Sequence, residues 1–284
     1  MPRLLLHITL SFLLPNVVIA QVQFSGRMEN GLNSGFTEDL RSDIISMYTV
    51  GKGFLESPLH YTSEDFILVG VVVGATALSF TLDNSVRTAV RSTQGVSMDK
   101  ITAFGEKFGN VKYGAALSGI LYLGGHLVSD RQTRETGLIL FETLLLNSIV
   151  TEGLKIALGR SRPHINEGNL DLLDVDLETE NHSLPSGHTS TAFAIATVLS
   201  RRIGSTYASI GLYSLAGLTV YQRVYADKHW ISDTILGAAI GIGIGLKVVE
   251  LYSEHTARQS IQPKLNIIPY RNSEGYGFGL SFVF

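Results

Sequence analysis

The chain has 284 residues, 45% of them hydrophobic and 17% charged, and its 22 basic and 25 acidic side chains give a formal charge of -3. An average soluble domain carries about 25% charged residues, so the composition excludes a disordered tail, a coiled coil and a collagen-like chain, and the charge balance gives no sign of a nucleic-acid partner. With no cysteine in the chain, disulfides, thiolate nucleophiles and cysteine-held zinc or iron–sulfur centres are excluded too.

Residues 1–20 read as a secretory signal peptide. Arg3 is the basic start, 4–14 is largely apolar, and Val18-Ile19-Ala20 offers a small residue for cleavage. The alternative is an uncleaved apolar anchor. Residues 21–61 form an N-terminal polar segment, with one short helix expected near 38–47. A helical core then covers 62–250, and 251–284 is a C-terminal extension.

Within the core, six apolar runs lie at 66–82, 111–128, 136–158, 189–200, 203–222 and 231–249. Each is far longer than an ordinary strand and reads as a helix. The expected fold is therefore all-α, a bundle of about six long helices. The polar stretch 84–110 predicts a short amphipathic helix, and a polar, acidic insertion sits at 166–182. By the length rule for membrane spans, only 203–222 qualifies with no charge. The third run carries Glu142, Glu152 and Lys155, and a carboxylate facing lipid is costly. Two settings stay open: a bundle in the membrane with its site on the periplasmic or outer side, and a soluble periplasmic bundle. Gly237, Gly241 and Gly245 recur every four residues and permit close helix contact in either. The tail predicts a β-hairpin turning at Asn272-Ser273-Glu274-Gly275, after which Tyr276, Phe278, Leu280, Phe282 and Phe284 alternate. One hairpin cannot close a barrel, so it is expected to pack on the helical body.

Chemistry concentrates in three stretches. Lys155 and Arg162 are seven residues apart, with Pro163 next. If the helix runs that far, both cations share a face and clamp an oxyanion. Arg160, between them, reads as a solvated basic helix end favoured by the macrodipole. Pro185-Ser186-Gly187-His188 leads into the fourth apolar run. Ser186 is placed as an N-cap, and the free N–H groups at that helix start suit a phosphate. His229 and Asp233, four apart, are expected on one helix face. The carboxylate then fixes the imidazole tautomer and leaves one ring nitrogen free as a nucleophile or metal ligand. Arg223 stands six residues earlier, while Tyr225, Asp227 and Trp230 read as packing, rim or loop residues. A zinc site could be drawn from two histidines and an aspartate, but Lys155, Arg162 and Arg223 would crowd a dication. Three cations, a helix start and two histidines suit an oxyanion better, so no metal is expected.

This constellation resembles the type 2 phosphatidic acid phosphatase family, which also holds bacterial acid phosphatases and vanadium haloperoxidases. The family pattern is K-x6-RP, then PSGH, then SR-x5-H-x3-D. Lys155 with Arg162-Pro163, then Pro185 to His188, then Arg223, His229 and Asp233 match it in order. The one departure is Gln222, where the family usually has serine, which puts an orienting contact in doubt. The resemblance covers about 62–249. It implies that His229 attacks phosphorus and forms a phosphohistidine, with Asp233 orienting the ring. His188 then protonates the leaving alkoxide and later activates water. Lys155, Arg162, Ser186, Gly187 and Arg223 bind the phosphate. The family's hydrolysis uses no metal or other cofactor. The expected substrates are lipid phosphates: phosphatidic acid, phosphatidylglycerophosphate, a prenyl pyrophosphate or lipid A. The alternatives are small phosphomonoesters for a soluble acid phosphatase, vanadate chemistry, or a noncatalytic membrane scaffold.

Overall fold

The computed structural model describes residues 7–13, 17–23, 32–173, 182–261, 264–272 and 275–283. The chain divides into two compact units, Met47–Tyr252 and a second formed by Met1–Ser46 with Ser253–Phe284.

In the second unit, β1 (His7–Leu13) and β2 (Val17–Gln23) pair antiparallel. The expected tail hairpin forms too. Its strands, Lys264–Asn272 and Gly275–Val283, pair with Tyr270 opposite Gly277. The second of these strands also pairs antiparallel with β1, which makes a four-stranded sheet. The turn residues 273–274 and Phe284 lie outside the described residues. The stretch read as a signal peptide thus contributes β1 and the start of β2. Arg3 and 14–16 are outside the described residues. Cleavage of a leader and this strand pairing exclude each other for the same residues.

The larger unit is helical throughout, as expected. The described helices are α1 (Leu32–Glu56), α2 (Ser63–Ser79), α3 (Asp83–Arg91), α4 (Val96–Gly109), α5 (Val111–Leu127), α6 (Arg131–Leu158), α7 (Gly187–Ile203), α8 (Thr206–Tyr225) and α9 (Ile231–Ile261). The six apolar runs appear as α2 and α5 to α9. The short helix expected near 38–47 is instead 25 residues long. Met47, Val50 and Phe54 join the main core cluster, and such packing extends a helix beyond what propensity alone supports. The polar stretch 84–110 becomes α4 and most of α3. The insertion at 166–182 is described only in part, since 174–181 lie outside.

Caps set the helix ends. Thr62 and Asp65 form a reciprocal capping box at α2, with the Thr62 N–H donating to Asp65 Oδ2 at 2.7 Å. Gly159 after α6 and Gly204 after α7 take the left-handed conformation, φ 39° and 68°, that ends each helix. The core joins α1, α6, α7 and α9 through Val50, Leu140, Leu144, Ile195, Val198 and Val248. The glycine row of α9 lies directly on α7. A Cβ at Gly237 would stand 2.6 Å from the Ser186 carbonyl oxygen, and one at Gly241 would collide with that of Ser190. The row brings the N-terminal ends of α7 and α9 together.

Among the described residues, three stretches are long and apolar enough to cross a membrane: Ser63–Arg91, Arg131–Leu158 and Ile231–Arg258. The run 203–222, expected to meet the length rule with no charge, is not among them. That helix, α8, carries no charge before Arg223, but Tyr207, Ser209, Tyr213, Ser214, Thr219, Tyr221 and Gln222 lower its hydropathy. Conversely, α2 buries only Thr76 and Ser79 and turns Phe66, Ile67, Leu68, Val71 and Leu78 outward.

Candidate active site

Lys155 lies in the last turn of α6, which ends at Leu158. The left-handed Gly159 turns the chain away, so Lys155 and Arg162 do not share a helix face as the spacing implied. Arg162 instead sits in extended backbone, φ -75° and ψ 152°, immediately before Pro163. Its guanidinium donates to the carbonyl oxygens of Lys228 at 3.4 Å and His182 at 3.5 Å. Lys155 Nζ donates to Glu152 Oε1 at 2.7 Å. A Cβ on Gly187 would lie 3.2 Å from Lys155 Nζ. The α6 cation therefore reaches the start of α7.

Ser186 is the N-cap of α7, as expected, and its Oγ accepts from the Thr189 N–H at 3.4 Å. Gly187 is the first helical residue and His188 the second. The Ser186 N–H donates to the Asp233 carbonyl oxygen at 2.9 Å, which ties the starts of α7 and α9. Arg223 occupies the last turn of α8. Its Nε donates to Gln222 Oε1 at 2.6 Å, and its Nη2 is 4.0 Å from Glu106 Oε1. The residue that departs from the family pattern thus supplies an orienting contact of its own.

His229 precedes α9 rather than sharing its face with Asp233. Asp233 Oδ2 accepts from the Trp230 N–H at 2.8 Å, the back-bond of a capping box at this helix start. The same oxygen accepts from Ser183 Oγ at 2.5 Å and lies 3.5 Å from His229 Nδ1. The closest acceptor for Nδ1–H is the Ser183 carbonyl oxygen, at 2.9 Å. That bond fixes the proton on Nδ1 and leaves the lone pair on Nε2. Ser183 was not foreseen. A serine near PSGH carries no sign in the sequence that both its carbonyl and its hydroxyl serve the histidine–aspartate pair.

Arg160 is a further correction. It is 0% exposed, not solvated. One Nη donates to Asp233 Oδ1 at 2.5 Å and to Ser232 Oγ at 2.7 Å, and the other to Asp83 Oδ2 at 2.7 Å. The guanidinium also stacks 4.1 Å from the Phe80 ring centroid. At the rim, Asp227 receives Arg87 at 2.7 and 2.8 Å and Arg91 at 2.9 Å.

The electrostatics follow from burial among cations. Burial pushes His188 down to about 3, and the charges of Arg223, Lys155 and Arg162 push the same way. Burial likewise takes His229 down to about 4 against the opposing pull of Asp233. Arg223 falls to about 10 by burial and is still protonated at neutral pH. The site therefore holds two neutral imidazoles among three cations, an arrangement that suits an anion. Among the described residues, no three His, Asp or Glu side chains gather as a metal-holding group.

Comparison with known proteins bears on this geometry. Residues 136–257 match the family model of the PAP2 superfamily, and the match takes in every predicted site residue. The segment 136–257 is thus similar to the PAP2 superfamily. A lipid A 1-phosphatase of Porphyromonas gingivalis is 31% identical over 179 residues, 61% of this chain and 36% of that protein. A lipid A 4'-phosphatase of the same organism is 25% identical over 118 residues, 41% of this chain and 50% of that protein. The chain thus spans half or less of the length of these two PAP2 relatives. A crystal structure of a transmembrane PAP2 type phosphatidylglycerolphosphate phosphatase from Bacillus subtilis has a TM-score of 0.52 at 20% identity, covering 69% of this chain and 95% of that one. That likeness concerns the fold alone.

Proposed function

We propose that this PAP2 chain is a metal-independent phosphatase of lipid phosphates that works through a phosphohistidine on His229. The observation that carries the reading is the bond from His229 Nδ1–H to the Ser183 carbonyl oxygen at 2.9 Å. It leaves a neutral Nε2 lone pair beside Arg162, Arg223 and His188, the arrangement a phosphorus nucleophile needs. The phosphoryl oxygens sit among Lys155, Arg162, Arg223, Ser186 and the Gly187 N–H, where charge builds in the transition state. Nε2 attacks phosphorus as the P–O bond to the lipid breaks, and His188 gives its proton to the departing alkoxide. The bound phosphoryl dianion offsets the cations that push His188 down, so His188 can carry that proton once substrate is present. Neutral His188 next takes a proton from water, the hydroxide attacks the phosphohistidine, and inorganic phosphate leaves.

A lipid substrate is favoured over a small phosphomonoester by α2, whose outward Phe66, Ile67, Leu68, Val71 and Leu78 suit lipid rather than water. The relatives named as lipid A phosphatases point to the same substrate class. Export through the 1–20 leader, with the site facing the periplasm or outside, belongs to this reading. The pairings of β1 then form only in an uncleaved chain.

The test is phosphate release by the full chain in detergent, with phosphatidic acid, phosphatidylglycerophosphate, a prenyl pyrophosphate, lipid A and a small aryl phosphate compared. Lipid phosphates are expected to turn over, and His229→Ala to reduce turnover by at least about 10³-fold with the fold retained. Near wild-type release by that variant would remove His229 as nucleophile. Preference for the aryl phosphate, together with recovery in the soluble fraction after a carbonate wash, would overturn the lipid reading.

A further inference from the structure

We propose that Arg160 is a positioning residue for the nucleophile, acting through Asp233 and Ser183 as the centre of a buried Asp83–Arg160–Asp233 ion triad. This rests on the phosphatase reading above. The guanidinium is sealed from solvent and shared between two carboxylates that are themselves 0% exposed. Every Arg160 nitrogen is occupied within the protein. Nη1 serves Asp233 and Ser232, Nη2 serves Asp83 and the Asn169 carbonyl, and Nε reaches that carbonyl at 3.1 Å. None of these is a phosphate-binding partner, so Arg160 acts on the reaction only through what it holds.

What it holds is the setting of His229, from two directions. Through its side chain it fixes Asp233 Oδ1, while Ser183 Oγ and the Trp230 N–H fix Oδ2. The carboxylate cannot rotate without breaking a charge-assisted bond. Through its main chain, the Arg160 carbonyl oxygen accepts from the Ser183 N–H at 2.9 Å. Ser183 in turn accepts the His229 proton on its own carbonyl oxygen. One residue thus sets both the carboxylate and the carbonyl that define the imidazole's tautomer and plane. Asp83 completes the triad at the start of α3. It receives Ser232 N–H at 3.0 Å and Ser232 Oγ at 2.9 Å, which anchors the first turn of α9 where Asp233 sits. Loss of the cation would leave uncompensated buried charge on both carboxylates.

The test measures kcat and KM for Arg160→Lys, Arg160→Gln, Ser232→Ala and wild type, with the full chain in detergent, phosphatidic acid as substrate, and thermal unfolding in parallel. Arg160→Lys is expected to lower kcat about 10- to 100-fold, as loss of an outer-shell orienting contact does elsewhere. KM should stay within about twofold, because Lys155, Arg162 and Arg223 are untouched. Arg160→Gln should fall further than the lysine variant. Ser232→Ala keeps every charge and removes only the hydroxyl bridging Arg160 and Asp83. It should lower kcat several-fold at constant KM, and it carries the test if the charge variants do not fold. A folded Arg160→Lys with wild-type kcat, a loss expressed in KM alone, or an unaltered kcat in Ser232→Ala when neither charge variant folds overturns the positioning role while wild type still turns over. Absence of turnover by wild type overturns the phosphatase reading and this role with it.

Discussion

Acid should weaken this protein in part through the buried His229 imidazole, by an amount that can be worked out. His229 is 3% exposed and held down to about 4, against an ordinary value of 6.5. As pH falls below 6.5 the unfolded chain takes up the proton and the folded chain does not, so stability falls with pH until it levels near pH 4. The contribution is fully present above the unfolded value. Between pH 7.5 and 5.0 the linkage integral gives a loss of about 2 kcal/mol for a shift from 6.5 to about 4. For a domain of this size that is a fall of about 4–8 °C in Tm. The assay is thermal unfolding in detergent at both pH values, for wild type and for His229→Gln. Glutamine keeps a donor for the Ser183 carbonyl oxygen but cannot titrate. His188 and the surface groups titrate in both proteins, so the quantity to read is the difference between the two falls in Tm. Wild type should fall by about 4–8 °C more than the variant. Equal falls would refute the claim that His229 is buried neutral, and with it the free Nε2 lone pair on which nucleophilic attack depends.

The glycine row of α9 gives a stability contrast within one helix. Gly241→Ala places a Cβ against the Ser190 carbonyl oxygen and should cost about 1–3 kcal/mol, whereas Gly243→Ala, with nothing within 4 Å, should be neutral or slightly stabilising. Equal unfolding temperatures for the two would remove the close α7–α9 contact. Gln222→Leu deletes the acceptor for Arg223 Nε and should raise KM about tenfold with kcat little changed, the worth of one hydrogen bond to a charged group. An unchanged KM would show that Arg223 is held by other means. Dialysis against EDTA should leave phosphate release intact. A loss that zinc or magnesium restores would return a metal to the mechanism.

The helices were legible because long apolar runs have few other destinations, and all six became helices. Their setting was harder to read. Charge count singled out 203–222 as a span, but hydropathy is a sum. The tyrosines and hydroxyls of α8 outweigh its lack of charge, while α6 tolerates Glu142 because it is buried inside the bundle. Residue types at fixed spacing also picked out Lys155, Arg162, Ser186, His188, Arg223, His229 and Asp233, the residues proposed to bind and attack a phosphate. The shared helix faces did not survive. Gly159 ends α6 before Arg162, and Trp230 ends the loop before α9, so both expected face-sharing pairs are loop–helix pairs instead.

Arg160 shows where such reading stops. A sequence prints its charge beside Lys155 and Arg162, and three cations near a helix end look alike. What separates them is burial, decided by partners 73 and 77 residues away, at Asp233 and Asp83. A guanidinium that meets only water can be replaced at little cost, while one that neutralises two sealed carboxylates cannot leave without stranding charge. The cation that looked most like surface is therefore fully sealed from solvent. Its two neighbours in the sequence stay partly open, Lys155 with 12% of its side chain exposed, as the proposed phosphate site requires.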